Sequence, residues 1–183
     1  MGLTRRHFLS AGSVSLAAGL LGISGCSRAA PASGSAPTGA FAVRLSDAQW
    51  RQRLSPGQYS VLRGKATERA YSSPLNNEHR AGTFTCAGCA LPLFAAATKF
   101  DSGTGWPSFY RALPRAVGEE RDTSWGMLRV AVHCQRCGGH LGHLFNDGPR
   151  PTGLRYCING LALAFSADVA GTAAQPADWR VPL

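Results

Sequence analysis

The sequence is poor in acidic residues, has no crowded basic patch and no internal repeat, and carries only one long apolar run. Of its 183 residues, 10 are acidic and 19 basic, which leaves a formal net charge of +9. The basic residues are scattered and aromatics are not interleaved with them. That excludes a nucleic-acid platform and leaves a solvated surface. The one apolar run, residues 8–23, falls short of the ~20 residues a helix needs to cross a bilayer. No comparable run follows it, so the rest of the chain is expected not to span a membrane. An apolar fraction of 44% is ordinary for a globular protein, and the length suits one domain plus a tail.

What is present begins with an address. Arg5 and Arg6 precede the apolar run in a pattern that resembles the twin-arginine export signal, which a receptor reads. Ile23-Ser24-Gly25-Cys26 resembles a bacterial lipobox, in which Cys26 becomes a lipidated N-terminus; cleavage near Ala29 to Ala36 is the alternative. Removing residues 1–25 deletes Arg5 and Arg6 and no acidic residue, which takes the charge from +9 to +7. The expected organisation is an export signal over 1–26, a flexible Ala/Pro/Ser/Gly tether over 27–44, one domain over 45–166 and a tail over 167–183. The expected location is the periplasm, as a soluble or membrane-anchored lipoprotein.

Within the domain, Ser46 to Gln49 reads as a capping box, and Ser55-Pro56 as a second cap with proline at the first helical position. Two short helices should follow, ending near Leu54 and Leu62, with Trp50, Tyr59 and Leu62 turned inward. From Gly82 onward the chain reads as β. Met127 to Cys134 alternates, with Leu128, Val130, Val132 and Cys134 on one face. Leu161, Leu163 and Phe165 alternate with alanines in the same way. A mainly antiparallel β domain with small helices at its front is expected.

Two Cys-x-x-Cys pairs, Cys86/Cys89 and Cys134/Cys137, sit in turns punctuated by Gly88 and Gly138. Two such turns complete a tetrahedron of thiolates around Zn²⁺ and couple its binding to folding. Two disulfides or a thioredoxin-like redox pair are the competing uses. With Cys26 assigned to the leader, Cys157 is left as the one spare thiol. Such a cysteine is often a small buried hydrophobe. Here Arg155 and Asn159 alternate with it, so on a strand all three side chains share a face. A nearby arginine favours the thiolate, the attacking form. His140 and His143 add proton-donor capacity, although either also suits a structural role or a place on the metal.

These segments, with Ser102 to Phe109, His140-Leu141-Gly142-His143-x-Phe145, Asp147-Gly148-Pro149 and Arg155 to Asn159, resemble the methionine-R-sulfoxide reductases over about residues 45–166. The resemblance implies two antiparallel β-sheets in a tent-like arrangement, with a structural zinc held by Cys86, Cys89, Cys134 and Cys137. It also implies reduction of the R epimer of methionine sulfoxide, protein-bound or free. Cys157 would be the nucleophile and become a sulfenic acid. His143 or His140 would be the acid, Arg155 and Asn159 the supports, and Trp106 and Phe145 the cradle of the substrate methyl. Many relatives carry a resolving cysteine where this chain has Thr104, and serine is common where it has Gly160. Recycling by an external thiol, a thioredoxin-like protein or a small thiol, is therefore expected. Two other functions compete. A non-catalytic zinc module predicts that Cys157→Ser changes nothing. A general thiol oxidoreductase predicts no metal and direct use of one Cys-x-x-Cys pair.

Overall fold

In the computed structural model, residues 41–168 are described. The expected leader, Cys26, residues 27–40 of the tether and all but the first residues of the tail lie outside them; residues 41–44, expected as the end of the tether, are instead tied to the domain, the Val43 N–H donating to the Arg136 carbonyl at 3.0 Å. Two short helices open the described chain, α1 (Asp47–Arg53) and α2 (Pro56–Leu62). Each starts with a reciprocal capping box: Ser46 with Gln49, and Ser55 with Gln58. A seven-residue helix is too short to be stable alone, so packing must complete what the caps begin. Trp50, Leu54, Val61 and Leu62 supply it from the buried side. Among the described residues no helix is long and apolar enough to cross a membrane.

Nine strands follow: β1 (Gly82–Cys86), β2 (Pro92–Ala95), β3 (Lys99–Phe100), β4 (Ser108–Phe109), β5 (Val117–Asp122), β6 (Arg129–Cys134), β7 (His140–Phe145), β8 (Arg155–Ile158) and β9 (Leu163–Ala167). They form two wholly antiparallel sheets. A three-stranded sheet has the order β2-β1-β9, and a six-stranded sheet the order β3-β4-β8-β7-β6-β5. The expectation of a mainly β fold of two antiparallel sheets with small helices in front is met. Phe84 and Phe94 of the smaller sheet meet Phe109 of the larger, at ring distances of 5.0 and 4.4 Å. All three are fully buried. Truncating such a ring to alanine costs ~3–5 kcal/mol, so this aromatic contact holds the two sheets together.

Two local expectations need correction. The strand expected from Met127 begins only at Arg129, because Trp125 and Gly126 turn the chain through left-handed backbone (φ 59° and 69°). Leu128 is thus 69% exposed, and of the expected inner face only Val132 and Cys134 enter the core. Leu161 belongs to a 3₁₀ turn, Gly160–Ala162, rather than to β9, and that turn swings its side chain outward while Ala162 is buried. Gly88 sits in the turn of the first knuckle as expected, and the left-handed residue that closes it is Ala90 (φ 58°), the counterpart of Gly138 (φ 68°). The amides of Ala90 and Gly138 close equivalent turns onto the carbonyls of Cys86 and Cys134. Gly88 instead lies against Trp50 and Leu62, where a side chain would find only ordinary contact.

Candidate active site

The two knuckles hang from different strands. Cys86 ends β1 of the smaller sheet and Cys134 ends β6 of the larger, so the cluster bridges the two sheets. The four Sγ atoms lie within 4.8 Å of one another, and all four residues are buried. Cys86 and Cys137 stand 3.7 Å apart, Cys89 and Cys134 3.5 Å. A tetrahedron of thiolates at a metal–sulfur distance of ~2.3 Å has edges of ~3.8 Å, whereas a disulfide needs ~2.05 Å. The geometry fits a metal ion and not two disulfides. Contact with Cys134 pushes Cys86 up and Cys89 down, as crowded thiols that share protons do. Arg63, Arg53 and Arg136 donate to the carbonyls of Cys137, Gly88 and Cys89, which fixes both turns from outside.

The lone thiol lies elsewhere, in the middle of the six-stranded sheet. Strand register places Cys157 opposite Ser108 of β4 on one side and His143 of β7 on the other. Residues directly opposed in antiparallel strands share a face with their Cβ atoms ~4.5–5.5 Å apart. One row thus reads Ser108, Cys157, His143, Ala131, and Phe145 stands opposite Arg155 in the next. Above these rows a pocket of about 140 Å³ is lined by Cys157, His143, Phe145, Asn159, Trp106, Thr67, Arg129 and Gly142.

Each wall of this pocket is held from behind. Arg155 makes two hydrogen bonds to Asp147, at 2.8 and 2.9 Å, and its guanidinium lies 4.3 Å over the Phe145 ring. The Asn159 amide is committed on both ends, accepting from the Glu68 N–H at 2.9 Å and donating to the Leu141 carbonyl at 3.0 Å. Trp106 donates through Nε1 to the Glu68 carbonyl at 3.1 Å. Its loop turns through Gly103 and Gly105 in left-handed backbone, and Tyr71 and Asn76 donate to the carbonyl of Gly105. On the far side of the thiol, Ser102 bridges Thr104 and Ser108 at 2.8 and 2.7 Å. Thr104 Oγ1 sits 3.8 Å from Cys157 Sγ.

Burial raises the Cys157 thiol above its ordinary value, and contacts with Thr104, Arg155 and Ser108 offset this only in part. The arginine does favour the thiolate, as its spacing suggested, but desolvation wins. The two histidines part company. His143 lines the pocket, and its Nε2 lies 2.8 Å from Asp122 Oδ2. The Ser124 side chain holds the Asp122 carboxyl well below the usual range, with His143 adding to the effect. His140 lies 5.4 Å from His143 between ring centres and is only 4% exposed. It does not line the pocket. Neither of its ring nitrogens has a protein partner, and burial drives its pKa down to about 4, so it is neutral at pH 7.

Four contributors escaped the sequence reading: Thr67, Glu68, Asp122 and Arg129. Strand alternation does put Arg129 on the face opposite Leu128, and that is the pocket face. Thr67 and Glu68 stand in an irregular stretch with no periodicity to reveal them. Asp122 becomes legible only once β5 is paired to β6.

Comparison with known proteins fits this geometry. Residues 54–167 match the SelR domain. The chain is 60% identical over 122 residues to the peptide methionine sulfoxide reductase MsrB of Bradyrhizobium diazoefficiens, covering 66% of this chain and 88% of that one. It is 57% identical over 120 residues to the protein of the same name from Thiobacillus denitrificans, covering 65% and 91%. For that of Methanosarcina barkeri the figures are 50% over 131 residues, 71% and 92%. A half-buried thiol in its own pocket and a separate four-cysteine cluster, on a chain that relatives of this name match over most of their own length, lead to one conclusion: the chain belongs to the MsrB family of peptide methionine sulfoxide reductases.

Proposed function

We propose that this protein reduces the R epimer of methionine sulfoxide, protein-bound or free, through a Cys157 sulfenic acid. The observation that carries the reading is the pocket itself, where a half-buried thiol is flanked by an aromatic wall on one side and an imidazole on the other. The Cys157 sulfur bonds to the sulfoxide sulfur while His143, backed by Asp122, protonates the sulfoxide oxygen. The oxygen then passes from the methionine sulfur to the Cys157 sulfur as the S–O and S–S bonds to methionine break, so methionine leaves and Cys157 carries S–OH. Two external thiols then return Cys157 to the thiol, with release of water and their own disulfide. Trp106 and Phe145 receive the methyl group, while Asn159 and Arg155 hold the walls rather than the substrate. His140 is a neutral packing partner behind His143, so His143 is the acid.

Handedness follows from the walls. With the methyl against Trp106, the oxygen toward His143 and the rest of the residue toward the mouth, one epimer alone presents its sulfur to Cys157. The family resemblance supports R as that epimer. Zinc held by Cys86, Cys89, Cys134 and Cys137 would be structural, locking the two knuckles together. None of these four lines the Cys157 pocket, and Thr104 stands beside the thiol, which favours an external reductant, thioredoxin-like or a small thiol. Export by the twin-arginine route, anchoring at Cys26 and the division into leader, tether, domain (45–166) and tail complete the proposal.

The test is an assay of both epimers with dithiothreitol, with dimedone trapping after one turnover. Turnover of R alone, a trapped sulfenic acid at Cys157 and loss of both in Cys157→Ser are expected. Turnover that survives Cys157→Ser would sink the reading.

A further inference from the structure

Glu68 is a buried carboxylate that the chemistry above leaves unused; the residue is only 9% exposed. Its side chain accepts from the backbone N–H of Gly160 at 2.5 Å and of Leu161 at 3.0 Å. Those are opening amides of the 3₁₀ turn just beyond Cys157, where helical geometry leaves donors without partners. Its own backbone works as well. The Glu68 N–H donates to Asn159 Oδ1 at 2.9 Å, and the Glu68 carbonyl accepts Trp106 Nε1 at 3.1 Å. One residue therefore ties the Trp106 wall to the end of the Cys157 strand through four hydrogen bonds. Two of them are charge-assisted, the stronger kind.

The fit has no slack. A Cβ on Gly160 would come within 1.9 Å of Ser73 Oγ and 3.2 Å of Glu68 Oε1, so the space a side chain would fill is taken by Ser73 and the carboxylate. The turn is thereby pressed against the Glu68 segment, with no side chain between them to act as a spacer.

We propose that Glu68 is a positioning residue that sets the gap between Trp106 and Cys157, and so makes the site select a methyl sulfoxide over larger alkyl sulfoxides. This rests on the reading of Trp106 as the wall that receives the methyl. In a pocket of about 140 Å³, the spacing between these walls decides how large an alkyl group fits beside the sulfur. Glu68→Gln keeps the shape of the side chain but turns an amide N–H₂ toward one of the two backbone donors. That loosens the tie without touching any reacting atom.

The experiment measures kcat and KM of the full-length protein for methionine sulfoxide and for its S-ethyl homologue, in wild type, Glu68→Gln and Glu68→Asp. Thermal midpoint and metal content are followed in parallel. In folded, metal-loaded Glu68→Gln, the methyl-over-ethyl ratio of kcat/KM should fall by about tenfold, the worth of a methylene in a shaped pocket, mainly through KM. Dimedone should still trap Cys157. Glu68→Asp keeps the charge but withdraws it by one methylene, and gives the same direction should the glutamine variant not fold. An unchanged ratio in a folded variant overturns the proposal, as does a loss confined to kcat with the ratio intact. A control separates the two layers. If Trp106→Phe leaves the ratio at its wild-type value, the reading of Trp106 fails, whatever Glu68 does.

Discussion

The knuckle cluster and the Cys157 pocket use the same element in opposite environments. Four sulfurs at one end are buried, crowded and held by backbone turns. The fifth is half-buried, has no second thiol lining its pocket, and is ringed by hydroxyls, an imidazole and aromatic faces. Crowding suits the first set to holding a cation, which would relieve the repulsion between thiolates. Isolation suits the fifth to the nucleophile's role proposed for it, because no second thiol lines its pocket. Sulfur reactivity is here a matter of neighbours, and β-sheet register decides who the neighbours are.

That contrast is open to direct attack, and the largest effect belongs to the cluster. Removing the metal with a chelator, or changing Cys134→Ser, should unfold the domain, since structural zinc sites contribute on the order of 10 kcal/mol to folding. Circular dichroism would show it, and an apo-protein that keeps its thermal midpoint contradicts the ligand assignment. Cys157→Ser is the mirror image: turnover falls below detection while midpoint and metal content stay unchanged. Next comes Thr104→Cys. It sets a second thiol where Oγ1 now lies 3.8 Å from Cys157 Sγ. After one turnover, mass spectrometry should find a disulfide between the introduced thiol and Cys157 where wild type yields a dimedone adduct.

The pH profile is a gentler probe. Because burial holds the Cys157 thiol above its ordinary value, the thiolate fraction, and with it kcat/KM, should climb with pH through the neutral range. A plateau already reached at pH 6 contradicts that. The smallest effect lies far from both sulfur sites. Ser46→Ala removes one capping box and should lower stability by ~1 kcal/mol without altering KM.

Where local chemistry decides the outcome, the sequence is legible. Both helix caps, both helices, the four-cysteine cluster and the trio of Arg155, Cys157 and Asn159 follow from spacing and side-chain type. The resemblance to methionine-R-sulfoxide reductases adds Trp106 and Phe145, which line the same pocket. What fails depends on partners distant in the chain. Leu128 alternates correctly yet is exposed, because the Trp125–Gly126 turn keeps the strand from starting before Arg129. Leu161 reads as strand because nothing local announces that Glu68, more than ninety residues earlier in the chain, caps a turn there. The two histidines look equivalent three residues apart, but His140 is 4% exposed and packs behind His143. Only His143 reaches the pocket. Asn159 looks like a free hydrogen-bonding group, and its amide proves to be engaged already.

The chain enters the cluster at Cys86 and Cys89, leaves to build the tryptophan loop and the hydroxyl trio, then returns at Cys134 and Cys137 before running straight into His143. The tryptophan wall is therefore strung between the two knuckles, and the strand that carries His143 starts three residues past the second. An oxidant harsh enough to strip those cysteines would free both at once, and the loss of sulfoxide reduction would then be complete rather than partial.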